Sequence, residues 1–433
     1  MARAGMRAAL HDEWMRRPSK TSWLSFACVA LAASILSPAR GSAQRPTSFA
    51  CKRVLAQDGK SWLEDQFLLA MGTMIFQVRP RRDEEQVDVD FGDAWIVPGL
   101  IDLHTHLFLR PYAEKSWDEQ VRNESVALRS MRAVRHAEAT LRAGFFVVRD
   151  LGTEGAGYAD VALQQAWKEG IVAGPELFVA TRAIHMRGRY GPEPDDPKVE
   201  KGAQCVTGIE EILAAVREQQ RKGAQWIKVY ADYRNGLSGI VSPTFSPPEM
   251  HALCAEAESL GLHVSAHATT DEGIRNAIEA GAKSIEHGAG ASEETLRRMK
   301  ELAVVLVPCL TANETIVRNA GHSGPMLDRL NAAKAGFQRA LAIGVEIGCG
   351  SDAGVFAHGE NARELELMVD YGMPADAALR AATVVAAKVL GTNKYGSVGG
   401  VSGFIVLRAD PWKDISTLRT PTAVYRGDER VGL

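Results

Sequence analysis

A chain of 433 residues with 50 Lys or Arg against 53 Asp or Glu carries a formal charge of −3. That length accommodates one large domain with an appendage. With no basic block anywhere beyond the leader, the composition excludes a charge-driven nucleic-acid binder and leaves a small-molecule partner as the expectation.

The first 43 residues read as an export signal. Arg16, Arg17 and Lys20 precede the apolar run Trp23 to Leu36, and Gly41-Ser42-Ala43 offers small residues for cleavage before Gln44. The run is too short to span a bilayer comfortably, so the expectation is a periplasmic or secreted protein without stable membrane insertion after cleavage. A membrane anchor or a buried helix is the alternative. Asp12 and Glu13 are unusual in a basic leader, and a start at Met15 would give a more conventional one. After cleavage Cys51, Cys205, Cys254, Cys309 and Cys349 remain. Cys309 and Cys349 lie in apolar runs and read as buried thiols, whereas Cys51 and Cys205 can pair if the fold brings them together.

Residues 44–95 and 396–433 are rich in short strand-like runs such as Phe67 to Gly72, Ile75 to Val78, Phe404 to Leu407 and Ala423 to Gly427. Neither piece can bury a core alone, so the two predict one composite β-sandwich domain with residues 96–395 inserted between them. The insert alternates apolar runs with helical periodicity, the pattern of a parallel sheet with crossover helices. Eight strands are predicted: Ile96–Leu103, Phe145–Arg149, Leu177–Ile184, Trp226–Tyr230, His263–Ala266, Ser284–Glu286, Val304–Cys309 and Val345–Cys349. Helices such as Glu119–Arg142, Glu210–Arg221 and Leu327–Ile343 intervene, several ending in an Ala-Gly or Leu-Gly step. The fold class is therefore α/β, a (β/α)8 TIM barrel whose active site lies at the C-terminal ends of its strands. The Pro-rich stretch Met186 to Gln204 is either a mobile surface loop or a lid over that face.

Six residues stand at those strand ends. His104-Thr105-His106 closes the first strand, and residues two apart on a strand face the same side, so both imidazoles can reach one metal ion. Lys228, His267, His287 and Asp352 end later strands. Singly each is an ordinary polar residue closing a strand or capping a helix. Jointly they suit two divalent ions that share a hydroxide and polarise a substrate oxygen. Such a pair needs bridging anions, and imidazoles with one aspartate supply too few. A neutral lysine amine that combines with carbon dioxide gives a carbamate, a bridging anion of carboxylate geometry.

His-x-His on strand one, Lys on strand four, His on strands five and six and Asp on strand eight resemble the amidohydrolase superfamily in its binuclear, carboxylated-lysine form. Val97-Pro98-Gly99-Leu100-Ile101-Asp102-Leu103-His104-Thr105-His106, Ser265-Ala266-His267-Ala268 and Ser284-Ile285-Glu286-His287-Gly288 carry the likeness. The resemblance implies that His104, His106 and Asp352 bind the more buried ion and His267 and His287 the more exposed one, with Lys228 bridging. It also implies that Asp352 takes a proton from the attacking water and passes it to the departing amine. Zinc suits a His-rich site with oxygen bridges.

Lys228-Val229-Tyr230-Ala231-Asp232-Tyr233, and Gly350-Ser351-Asp352 followed by Ala357-His358-Gly359-Glu360-Asn361, resemble the branch of imidazolonepropionase-like dipeptidases. That branch includes prolidase-like enzymes, Xaa-Arg and Xaa-Lys carboxypeptidases and ochratoxin hydrolases. The resemblance implies that His185 and Tyr230 approach the substrate's carbonyl or carboxylate, although either can equally be a packing or strand-capping residue. Arg187, Arg189 and Arg234 can bind a carboxylate in a bidentate fork or be solvated. Lys228 argues against imidazolonepropionase itself and against the deaminases, which use one metal. Gly399-Gly400-Val401-Ser402-Gly403-Phe404 departs from the Pro-Gly-Lys-x-Ala-Asp segment of many superfamily members.

The expectation is an exported, homo-oligomeric, binuclear hydrolase acting on a small-molecule amide or peptide substrate. It would release a C-terminal amino acid from a dipeptide or an N-acyl amino acid, with ochratoxin A among the candidates by resemblance. A mononuclear deaminase or cyclic-amide hydrolase on the same barrel, and a non-catalytic binding scaffold, are the alternatives.

Overall fold

Alternating strands and helices from Leu100 onward assemble as the period-2 and period-3.6 patterns require. The computed structural model describes residues 45–189, 202–235, 238–321, 324–401 and 403–432. The export signal and most of the 186–204 loop lie outside the described residues.

Parallel strands run Leu100–Thr105, Phe145–Asp150, Glu176–Val179 continuing at Ile184–Met186, Trp226–Tyr230, His263–Ala268, Ser284–His287 and Val305–Val307. The circuit is completed by isolated backbone hydrogen bonds. Gly348 N donates to Leu306 O (2.9 Å), Leu103 N to Cys349 O (2.9 Å) and Asp352 N to His104 O (2.7 Å). The strands of this ring bury Ile101, Leu103, Val147, Ile227, Val229, Ala266, Ile285 and Val307, and with them the polar group Arg149, Ser265, Ser284 and Glu286.

Three predicted strands differ in detail. Ile96–Leu103 is two strands separated at Gly99, where a Cβ would run into the Phe146 ring. Trp95–Pro98 belongs to the outer sheet, and only Leu100–Thr105 belongs to the barrel. Leu177–Ile184 is broken by Thr181, whose φ of 58° bends the chain out of extended geometry. Val345–Cys349 makes one bridge, Ile347 to Leu306, because Gly348 and Gly350 lie packed under Leu103, Val307 and His104. The predicted helix Glu119–Arg142 is likewise two, Trp117–Asn123 and Val126–Arg142. Each starts at a serine, Ser116 and Ser125, that accepts a hydrogen bond from the third residue onward. The other helices match closely, and Gly223, Gly281 and Gly344 close theirs in the left-handed conformation.

Both ends of the described chain build one sheet. Its order is Glu429–Arg430, Ala423–Arg426, Gly403–Leu407, Trp95–Pro98, Thr47–Leu55, Trp62–Met71 and Met74–Pro80, with Val89–Asp90 also against Thr47–Leu55. Phe49 and Tyr425 lie three strand steps apart along it, roughly 14 Å in a flat sheet. Their ring centroids are 5.2 Å apart, so the sheet curls over a core of Phe49, Phe91, Phe404 and Tyr425. The sandwich-like core is thus made by one continuous sheet closing on itself. Cys51 is buried in it, with Sγ 3.1 Å from Ala94 O, and Cys205 lies in the Gln204–Val206 strand; the two are not joined. Among the described residues no helix is long and apolar enough to cross a membrane.

Candidate metal-binding active site

Asp102, the buried residue two before His104, staples the first strand to the eighth. It accepts from His104 N (3.0 Å), Ser351 N (3.0 Å), Ser351 Oγ (2.5 Å) and Asn361 Nδ2 (2.7 Å). That staple sets Asp352 beside the two strand-one histidines, with Oδ1 3.7 Å from His104 Nε2 and 3.4 Å from His106 Nε2. Asp352 (φ 62°) and His287 (φ 72°) both hold the left-handed backbone that non-glycine residues seldom adopt, as is common where side chains are aimed at a site.

Each strand-one imidazole has its outer nitrogen occupied. His104 Nδ1 donates to Glu286 Oε2 (2.9 Å) and His106 Nδ1 to Gly152 O (2.8 Å), which fixes the tautomers and leaves both Nε2 lone pairs inward. Those two nitrogens are 3.3 Å apart. Facing lone pairs at that separation repel unless a cation lies between them, so the donor set fits a metal ion. Lys228 Nζ is 3.5 Å from His104 Nε2. His267 and His287 stand edge to face, centroids 4.6 Å apart, and His287 is 5.6 Å from His104. Among the described residues the buried Nδ1 of His287 has no hydrogen-bond partner, a second unfilled donor in this group.

Burial governs the charge state of every member. It holds His106 at about 4 and His287 at about 3, with His104 and His267 also far below the ordinary range, so four lone pairs are available at neutral pH. Burial likewise lowers Lys228 and pushes Asp352 up to about 8, against the opposing pull of the Lys228 charge. All six predicted ligands therefore converge at the C-terminal ends of the strands.

Residues without a predicted role surround them. Glu286 accepts from His104 and also from Arg149 Nη2 (2.9 Å), Ser265 Oγ (2.7 Å) and Ser284 Oγ (2.6 Å), all buried. Cys309 Sγ lies 3.3 Å from His104 Nδ1, and Cys309, His104 and Asp352 could together hold an ion. Glu154 accepts from Tyr230 Oη (3.2 Å) and Trp117 Nε1 (3.1 Å). The one sequence signal for Glu286 was its place directly before His287; Glu154 lies in a loop with none.

His185 and Tyr230 both line the site. Fully buried His185 donates from Nδ1 to Met186 O (2.8 Å), and its ring is 5.3 Å from Tyr230, which is 4.9 Å from His267. The three named arginines divide. Arg187 pairs with Glu211 (2.8 Å) at the surface, and Arg189 donates to Ser242 Oγ (2.8 Å), whereas the Arg234 guanidinium lies 5.5 Å from the Tyr233 ring centroid. Existing partners thus engage the first two.

The amidohydrolase family pattern matches residues 95–400, which include the barrel and all six residues. The chain belongs to the amidohydrolase family. With that membership it is a hydrolase of amide-type C–N bonds, and the family's use of divalent metal agrees with the donor set. The chain is 29% identical to an ochratoxinase of Aspergillus niger over 371 residues, covering 76% of this chain and 73% of that protein. It is similar to the crystal structure of a Xaa-Pro dipeptidase with methionine bound in its active site (TM-score 0.75, 28% identity, 88% of this chain and 98% of that one). It also resembles a prolidase complexed with N-methylphosphonate-L-proline (TM-score 0.76, 25% identity, 88% and 98%).

Proposed function

We propose that this amidohydrolase releases a C-terminal amino acid from a dipeptide or an N-acyl amino acid, ochratoxin A among the candidates. The observation that carries the reading is Lys228. Its amine is buried against an imidazole nitrogen with no carboxylate in hydrogen-bond reach among the described residues, in a site poor in anions. Combined with carbon dioxide and relieved of one proton, it would become a carbamate, an anion suited to help hold divalent ions. His104, His106 and Asp352 would hold one ion and His267 and His287 the other, zinc being the choice for this donor set. When bound, such ions polarise a carbonyl and supply a nucleophile at neutral pH.

The chain's own groups do the rest. Asp352, ionised once bound cations offset the burial that otherwise raises it, would receive the proton of the attacking water and deliver it to the nitrogen of the departing amine. Tyr230, oriented by Glu154, and His185 flank the substrate's carbonyl or carboxylate. Similarity to an ochratoxinase and to dipeptidases supports the choice of bond. The proposal extends to export, with cleavage before Gln44, which N-terminal sequencing of the secreted form checks.

A mass-spectrometric screen of dipeptides and N-acyl amino acids, with Asp352→Asn as the inactive control, tests the reading. Expected are amino-acid products from the native chain alone, near two ions per chain by elemental analysis, and loss of at least one ion in Lys228→Ala. Product formation by Asp352→Asn at the native rate would sink the mechanism. One ion per chain, unchanged in Lys228→Ala, would favour a mononuclear enzyme.

A further inference from the structure

Near the candidate metal ligands stand two arginines, Arg329 and Arg234, that form no ion pair among the described residues. Arg329, on the helix Pro325–Ile343, is anchored through Nε to Asn313 Oδ1 (2.9 Å), and Asn313 Nδ2 is tied to Cys309 O (3.0 Å), so the guanidinium is fixed to the end of the seventh barrel strand. Its two outer nitrogens have no carboxylate partner among the described residues, and the side chain is open to solvent. Arg234 approaches from the other side, over Tyr233, whose ring is 5.5 Å from Tyr230 and 6.4 Å from His267. Arg234 also forms no ion pair among the described residues.

The Arg329 charge reaches His267, His287 and Asp352, and Arg234 opposes it. The acids in that neighbourhood, Asp352 and Glu154, are engaged elsewhere, Asp352 beside the strand-one histidines and Glu154 with Tyr230 and Trp117. Elsewhere on this chain arginines have acids, as Arg363 has Glu314 and Glu366 and Arg298 has Glu279 and Glu301. Two guanidiniums that feel each other's charge, neither paired with an acid among the described residues, raise each other's energy until an anion joins them. Each offers a fork suited to one carboxylate.

We infer that Arg329 and Arg234 form a two-carboxylate subsite, so that the amino acid released by this enzyme is a dicarboxylic one of the aspartate or glutamate class. The inference rests on the amide-hydrolase reading and deepens it. The α-carboxylate and the side-chain carboxylate of the departing residue each take one arginine, and the positive mouth draws such substrates in, a pull that salt weakens.

The test uses the metal-loaded full chain and two probes. One is a set of amides with a common acyl group on glutamate, aspartate, glutamine, leucine and lysine; the other is glutarate against butyrate as competing ligands, read by calorimetry as well as by inhibition. The glutamate amide should exceed its glutamine isostere at least about 10-fold in kcat/KM. Arg329→Gln should bring the glutamate-to-glutamine ratio down toward 1, a loss of about 10-fold, mainly through KM, with an unchanged thermal midpoint. Arg329→Glu should turn the preference toward lysine amides. Equal use of glutamate and glutamine amides, or butyrate binding as tightly as glutarate, would overturn the subsite while leaving the amide hydrolase intact. Glutarate bound without any amide hydrolysed would uphold the subsite and overturn the activity; neither bound nor hydrolysed overturns both.

Discussion

Glu286 shows how much a single side chain can be asked to do. It fixes the His104 tautomer, neutralises Arg149 and collects two serine hydroxyls, all out of contact with water. Removing one partner of a buried pair leaves the other charge uncompensated, so Glu286→Ala should cost about 3–5 kcal/mol in urea unfolding. The double variant Glu286→Leu with Arg149→Met, which removes both charges, should recover most of that stability while still weakening metal retention against a chelator, because His104 loses its orienting acceptor. Equal destabilisation by the single and double changes would show that the cost is packing and not charge. Glu286 lies inside a motif that the sequence displays openly. Its role was not legible because Arg149, Ser265 and His104 reach it only through strand pairing.

At the scale of single elements, two helices carry opposed tendencies that magnitudes decide. Gly336 sits in the interior of Pro325–Ile343, where alanine would gain about 1 kcal/mol in helix propensity. Its Cβ, however, would meet Ala289 O at 2.6 Å and Ala289 Cα at 3.0 Å, backbone atoms that cannot swing aside. Overpacking of that kind costs about 1–3 kcal/mol, so Gly336→Ala should lower the thermal midpoint despite the better helix former. Glu364 caps the helix Leu310–Asn319, accepting from Leu310 N (2.9 Å), Thr311 N (2.8 Å) and Thr311 Oγ1 (2.8 Å). Burial nevertheless raises its carboxyl from 4.5 to about 7. Between those values the folded chain keeps a proton that the unfolded chain has lost. The associated stability is therefore complete below pH 4.5 and declines as pH rises through 7, by about 3 kcal/mol. The stability difference between the native chain and Glu364→Gln should follow that slope; a difference flat in pH would refute it.

On the scale of the whole molecule, the two ends of the chain depend on each other. Gly403–Leu407 pairs with Trp95–Pro98 over four residues, and Phe404 and Tyr425 fill the core around Phe49. Ending the chain at residue 402 should therefore expose the inner face of the N-terminal strands, giving aggregation or a loss of cooperative unfolding. A soluble truncated chain with a native midpoint would contradict the shared core. Chelation should also lower the midpoint, since an ion that binds only the folded chain adds about 2.7 kcal/mol at a hundred times its dissociation constant, and added zinc should restore it.

Local periodicity and spacing determined the barrel, the outer β elements and the six convergent side chains, because strand ends in a parallel barrel meet at one face whatever the loops do. The same local signals could not mark the break at Gly99, the bend at Thr181 or the thin eighth strand, each imposed by neighbours distant in sequence such as Phe146 and Val307. They named Arg187 and Arg189, which the fold engages with Glu211 and Ser242, and passed over Arg329, which it ties to Asn313 and leaves without an acid among the described residues. Ligand identity is a property of residue type and register and so is written in one dimension. Whether a charge has a partner is a property of three dimensions, and only the tertiary structure decides it.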